Sequence, residues 1–284
     1  MAVGLAPPRP RRVLIKVGGE TVRDPLDRAR LARDIAQLIA GGAHVAVVHG
    51  AGPQITKLGE QLGLKSTFRG GRRVTDAAML HTVALAMCGE VGPNLLASLL
   101  AAGVRALATP AASAGIAVGR KRPPTRLTGE PQAVDYGLVA DIAHIGADVV
   151  VALWQAGLVP VLSSLVADTQ GQLLNLNADT LTTALVAALG IDDVVLVTGV
   201  SGVYRDLNDP GSHVPHLLHS EIGPLLQSGA IGGGMVAKLE EVANIITQGA
   251  QRVLIVGYRD EAAIAAAVSN QPGTRTVISA GVAP

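Results

Sequence analysis

The chain has 284 residues, 49% hydrophobic, 16% charged and only 2% aromatic, and its 23 basic and 22 acidic side chains leave a net charge of +1. That balance excludes a disordered chain and an electrostatic nucleic-acid binder, which needs a clustered basic excess. The single cysteine, Cys88, excludes an internal disulfide and a cysteine-rich metal site, and it sets the expectation of a reducing, cytoplasmic setting.

Residues 1–12 are rich in Pro and Arg without an apolar run, so they read as a loose tail rather than a signal peptide. Short β-branched runs then alternate with longer Ala/Leu-rich segments, the strand–helix–strand pattern of an α/β chain with a parallel sheet. Strands are expected at 13–17 and 44–48, separated by a helix over 27–40 that Gly41-Gly42 ends. Helices follow at 53–62 and 76–102, the latter long enough to be two, and then a strand at 104–109. Gly, Pro and Arg break the pattern over 111–136, which suggests hairpins or a flap at one edge.

Regular alternation resumes with a helix over 141–155 and a strand over 158–162, then a helix at 177–189 and a strand at 194–197. A turn-rich loop at 207–215 leads to helices at 220–228 and 234–248. A strand at 252–256, a helix at 261–269 and a strand at 275–278 complete the chain. The most apolar stretch, 149–167, is interrupted by Gln155, Gly157, Pro160, Ser163 and Ser164, so no membrane span is expected. Two lobes on one continuous sheet, 13–174 and 175–284, are the expected organisation.

Lysine is scarce: there are 18 arginines but only five lysines, Lys16, Lys57, Lys65, Lys121 and Lys238. Two of the five stand beside glycine clusters, where a compact ammonium can approach a crowded phosphate as a guanidinium cannot. Lys16 lies inside an apolar strand and is followed by Gly18-Gly19. Lys238 lies one turn into a helix that opens on Gly232-Gly233-Gly234. Gly50-Ala51-Gly52 leaves a strand and opens a helix at Pro53, whose free amides and dipole would attract an anion. No Gly-Lys dipeptide exists, so there is no Walker A loop, and Ile55 spoils a dinucleotide fingerprint.

Asp179, at the start of the 177–189 helix, can complement the helix dipole or hold two ammonium groups. Asn175 and Asn177 are either caps or ligand contacts. The basic loop RGGRRVTD (69–76) ends in a cap, Thr75 or Asp76, and its arginines could fork a carboxylate. His213, His216 and His219 recur every third residue, but Pro215 denies them a rigid face, and no metal site is expected. Two lysines, two anion turns, one organising carboxylate and no evident base fit phosphoryl transfer to a carboxylate, a nucleophile already ionised at neutral pH.

The segments KVGGE (16–20), HGAGPQI (49–55), RVTD (73–76), NLNAD (175–179) and GGMVAK (233–238) resemble, in order and spacing, the amino-acid kinase superfamily and within it the N-acetylglutamate kinases. The resemblance implies a three-layer αβα sandwich around an open, mainly parallel sheet. It also implies ATP-dependent phosphorylation of the γ-carboxylate of N-acetyl-L-glutamate to an acyl phosphate, in arginine biosynthesis. The first lobe would bind the acylated amino acid and form a homodimer; the second would bind ATP, with Mg2+ carried by the nucleotide.

By motif position Lys16 and Lys238 would stabilise the transition state and Asp179 would orient them. Gly18, Gly19, Gly50, Ala51 and Gly52 would meet phosphate, and Gly50, Ala51, Arg73 and Asn175 would meet the acyl amino acid. Thr198, Gly199, Gly233, Gly234 and Lys238 would meet the nucleotide. The short tail lacks the long N-terminal helix of hexameric, arginine-inhibited relatives, so a dimer without arginine feedback is expected.

Three positions depart from the family pattern: Ala51, which would set a methyl where backbone meets phosphate, Gly199 in place of an aspartate, and the bland 111–115 stretch. The competing readings are a sister kinase acting on carrier-bound aminoadipate, a non-catalytic ligand-binding regulator, and a dinucleotide-dependent redox enzyme.

Overall fold

The structure, a computed structural model, describes residues 9–127, 131–206 and 208–281. Its frame is an eight-stranded sheet. From one edge to the other run His216–Leu218, Thr276–Ser279, Arg252–Gly257, Asp193–Thr198, Arg12–Val17, His44–His49, Val159–Ser163 and Ala106–Pro110. The pairings are parallel except that between Arg252–Gly257 and Thr276–Ser279. Strands from both expected lobes thus share one sheet, and Arg12–Val17 and Asp193–Thr198 meet side by side at its centre.

Side-chain alternation builds the layers. Val13, Ile15 and Val17 enter one apolar cluster with Leu31 and Ile35 of helix Pro25–Ala40 and Leu95 and Leu99 of helix Gly92–Ala101. Leu14 points the other way, into a second cluster with Leu181 and Leu185 of helix Ala178–Leu189 and Leu239 and Val242 of helix Gly234–Thr247. Val195 and Val197 against Val194 and Leu196 repeat the division. A sheet buried on both faces between helices is the three-layer αβα sandwich that the resemblance implies. Each leucine buried to this degree contributes about 1.5–3 kcal/mol over its exposed state.

Several elements differ from expectation. The 141–155 segment is a strand, Ala140–Ile145, then a helix, Ala147–Gln155, because Gly146 separates two patterns that periodicity had merged. That strand joins Ala117–Lys121, Leu165–Ala167 and Leu173–Asn175 in a second sheet of four strands, so the irregular 111–136 region contributes a strand, while its residues 128–130 lie outside the described residues. The run over 76–102 is helix Ala77–Ala84, a π turn Leu85–Val91 and helix Gly92–Ala101. Pro93 opens the last of these, where a missing amide costs least.

The whole run Ala77–Ala101 is long and apolar enough, by length and composition, to cross a membrane, a property expected of no segment. Here Val83, Met87, Val91, Leu95 and Leu99 pack it into the first core cluster. Of the expected tail, residues 1–8 lie outside the described residues. The part that follows is not loose: Arg9 forks Asp192 at 2.7 and 2.8 Å and Arg11 binds Asp193, because two buried carboxylates at the head of a core strand need cations.

Candidate active site

In parallel strands the loops at the carboxyl ends share one rim, and helices returning to the next strand start there. That rim collects Gly18-Gly19 after Arg12–Val17, the Gly50–Gly52 turn after His44–His49, and Gly199 after Asp193–Thr198. It also receives the N-termini of helices Ala178–Leu189 and Gly234–Thr247. Lys16 lies in register between Val48 and Leu196, both residues of the second cluster, so alternation aims its side chain at the layer holding those two helices.

There the Lys16 ammonium forms an ion pair with Oδ1 of Asp179, the two side chains being 20% and 37% exposed. Burial works to lower the Lys16 pKa, but the Asp179 and Glu241 carboxyls outweigh it and hold the ammonium above its ordinary value. Lys238 is pulled below its ordinary value, by burial first and then by the charge of Lys16. Asp179 is held in place by the helix it starts: Asn177 caps that helix, accepting the Asp179 amide at 2.6 Å. Asn177 is therefore a cap.

Two cavities open at this point. The smaller, about 320 Å³, is lined by Gly18, Gly19, Gly52, Thr198 and Gly199 together with Lys16, Lys238 and Glu241. The larger, about 740 Å³, shares Lys16, Lys238 and Glu241 and adds Arg72, Asp141, Asn177, Asp179, Thr183, Gly234, Asn244 and Gln248 among its lining residues. Helices Gly52–Gln61 and Gly234–Thr247 both start without a side-chain cap, so their first amides stay available to an anion. A Cβ added at Gly18 would meet only Thr21 Oγ1, at 3.9 Å, and one at Gly52 or Gly234 would meet nothing within 4 Å. The backbone is bare on the side where a ligand would come.

The remaining expected residues serve this rim from behind. Gly50 donates its amide to Val17 at 3.3 Å. Ala51 is fully buried in the first core cluster, so its methyl points inward and does not crowd a phosphate, against the expectation drawn from its departure. Gly233 sits at φ +60°, the left-handed region, to set the helix start. Arg73 is buried, its guanidinium spent on Ser66, on the Gly52 carbonyl at 3.1 Å and on Thr56 at 3.0 Å, bracing the turn. Asn175 donates to Thr75 at 3.1 Å. Asp76 caps helix Ala77–Ala84 by accepting the Met79 amide at 2.8 Å.

Two groups were not singled out from the sequence. Arg72, not Arg73, is the arginine of its loop that faces the larger cavity, beside Asp141. Glu241 stands one turn beyond Lys238 with Oε1 buried and unpaired, and burial, then Asp179 beside it, pushes its carboxyl up to about 8. A shared face at i and i+3 was the available signal for Glu241. His213 packs on Tyr204 at 5.0 Å between ring centres, and among the described residues no group of three or more His, Cys, Asp or Glu could hold a metal.

Residues 11–257 match the model of the amino acid kinase family. A protein of Anaeromyxobacter sp. (strain Fw109-5) named acetylglutamate kinase is 40% identical over 94% of this chain and 99% of its own length. Another of that name, from Sorangium cellulosum (strain So ce56), is 38% identical over 94% of each. The crystal structure of smu.665 from Streptococcus mutans UA159 superposes with a TM-score of 0.73 at 26% identity, over 95% of this chain and 99% of that one. With a sandwich whose strand ends gather two lysines, an aspartate and two open helix starts, the chain belongs to the amino acid kinase family, on the branch of the acetylglutamate kinases.

Proposed function

We propose that this kinase transfers the γ-phosphoryl group of ATP to the side-chain carboxylate of N-acetyl-L-glutamate, forming an acyl phosphate, the chemistry by which arginine biosynthesis activates that carboxylate. The observation that carries the reading is the convergence of Lys16, paired with Asp179, and Lys238 on two adjoining cavities flanked by uncapped helix starts. A carboxylate nucleophile arrives ionised and needs no base. The barrier is the approach of two anions, and fixed positive charge lowers it.

In this mechanism the amides of Gly18, Gly19 and Gly52 hold the β- and γ-phosphates. Lys16 and Lys238 neutralise the charge that spreads over the migrating PO₃ group, and Asp179 keeps Lys16 aimed. Thr198, Gly199, Gly233 and Gly234 shape the nucleotide side, in the 175–284 lobe. Gly50, Ala51 and Arg73 of the 13–174 lobe, with Asn175 at its boundary with the second lobe, hold the acyl-amino-acid side by bracing its walls, and Arg72 supplies the cation facing the acceptor's carboxylates. Mg2+ would come bound to the nucleotide's phosphates and add its charge to the lysines' there.

The enzyme acts as a cytoplasmic homodimer in this reading. Leu100 and Leu107, 56% and 41% exposed beside the open edge strand Ala106–Pro110, supply the apolar contact, and Ala77–Ala101 is a core helix rather than a membrane span. Trapping with hydroxylamine tests the reaction: ATP and N-acetylglutamate should yield a hydroxamate that depends on both. Hydroxamate from carrier-bound aminoadipate alone would replace the substrate, and none from any carboxylate would refute the reading.

A further inference from the structure

Glu241 occupies a place that phosphoryl transfer does not require. On helix Gly234–Thr247 it follows Lys238 by three residues, so both side chains project on one face, toward the strand bearing Lys16 and the helix start bearing Asp179. Its neighbour Glu240 is exposed, whereas the Glu241 Oε1 atom is shut off from solvent and has no hydrogen-bond partner. The Glu241 carboxyl lines the larger cavity together with Asp179, which is already paired with Lys16.

Two carboxyl groups that share one confined cavity do not both ionise freely; one keeps a proton. Asp179 is the carboxyl paired with the Lys16 ammonium, so the proton belongs to Glu241. The charges facing Glu241 are Lys16 from the central strand, Asp179 from helix Ala178–Leu189 and Lys238 from its own helix. Arg72, Asp141 and Glu240 stand around the larger cavity, and Glu20 around the smaller. With Glu241 neutral, the two lysines and Asp179 leave one net positive charge for the phosphates. With Glu241 ionised, that charge is cancelled.

We propose that Glu241 is a positioning residue of this site: as a neutral acid it donates a hydrogen bond to Asp179, holding that carboxylate on Lys16, and it leaves one ammonium charge uncancelled for the transferring phosphoryl group. Its ionisation releases the proton to solvent, breaks the donation and draws Lys16 and Lys238 away from the nucleotide. The catalytic part of this inference rests on the kinase reading above; the protonation and its effect on nucleotide affinity do not. Burial and Asp179 place the ionisation at about pH 8, within reach of an ordinary pH profile.

The test compares the wild type with Glu241→Gln, which keeps a donor but cannot ionise, and Glu241→Ala, which has none. Wild-type kcat/KM for MgATP should fall about tenfold per pH unit above about 8, the slope of a single ionisation. E241Q should lack that fall up to pH 9, and at pH 7 it should exceed E241A about tenfold in kcat. An equal fall in wild type and E241Q overturns the proposal, as does a carbon-13 NMR titration placing the Glu241 carboxyl in the ordinary carboxylate range. MgATP affinity by calorimetry gives a readout free of turnover: it should weaken above pH 8 in the wild type and not in E241Q. If no acyl phosphate forms at any pH, the kinase reading fails, while the NMR and calorimetric results still decide the state of Glu241.

Discussion

Gly18 and Gly19 look alike in the sequence, yet the structure assigns them opposite sensitivities to a single methyl group. At Gly19 an added Cβ would lie 2.5 Å from Gln54 Oε1, 2.8 Å from Pro53 Cδ and 3.0 Å from the Gly52 amide nitrogen. Gln54 cannot swing aside freely, because it is buried and its Nε2 donates to the Gly19 carbonyl at 2.8 Å. Pro53 and Gly52 belong to the first turn of a helix. The two anion turns must therefore move apart. Overpacking of this kind costs about 2 kcal/mol, with about 1 kcal/mol more if the Gln54 bond is lost. For a chain of this size that lowers the thermal midpoint by about 5 °C.

The same separation spreads the amides that flank the smaller cavity, and a displacement of about 1 Å costs about a hundredfold in rate. Gly18→Ala meets only Thr21 Oγ1, at 3.9 Å, so the fold accepts it within about 0.5 kcal/mol. Its methyl stands where a phosphate would, and KM for MgATP should rise about tenfold, the factor that 1.4 kcal/mol of lost binding gives. Calorimetric melting beside hydroxamate kinetics reads both effects. A Gly19→Ala protein that melts and turns over like the wild type, or a Gly18→Ala protein that melts lower than Gly19→Ala, refutes the geometry.

Lys238→Met should lower kcat by about 10²–10³ by removing charge from the transition state, without lowering the melting point, since the ammonium is held there against its desolvation. Asp193→Ala should cost about 3–5 kcal/mol in denaturant unfolding. Asp193 is fully buried, and its loss leaves Arg252, whose Nε donates to it at 2.8 Å, as an unpaired buried charge. Asp34 is buried against helix Ala263–Val268, accepts the Ile264 amide at 3.2 Å, and is pushed by burial to about 6. Its folded pKa thus lies above the unfolded one, so the folded state binds the extra proton and stability falls as pH rises from about 4 to 6, by about 3 kcal/mol at most. Asp34→Asn should remove that part of the decline when unfolding is followed at pH 4 and pH 7, and an unchanged pH slope would count against the burial argument.

Legibility followed the range of the interactions involved. The core strands could be read because β-branched runs alternate with Ala/Leu-rich helices, and alternation alone aims Lys16 and Leu14 at the same layer. The four-stranded sheet could not: Ala117–Lys121 finds Ala140–Ile145 only by long-range pairing, and the latter's pattern ran on into the helix behind it. The membrane expectation rests on 149–167 as the most apolar stretch and passes over Ala77–Ala101, whose apolar character is high enough to cross a membrane although Gly89 and Gly92 interrupt it. Asn177 could be read as a cap or a ligand contact, and only the 2.6 Å bond to the Asp179 amide separates them. Arg73 and Arg72 are adjacent in an identical context, and tertiary packing gives one to the turn and the other to the cavity.

Local chemistry along the chain is enough to specify an α/β chain with a parallel sheet, the glycine turns at its strand ends and the two lysines beside them, because periodicity, helix-start preferences and residue type act within a few positions of one another. The three-layer sandwich was legible only through the family resemblance. The partner of each charge, the inward turn of the Ala51 methyl, the unequal roles of Gly18 and Gly19 and the proton on Glu241 belong to the folded chain alone. Those properties depend on which groups from distant segments touch and how far water is excluded from them, and neither condition exists until the sheet has brought its strand ends together.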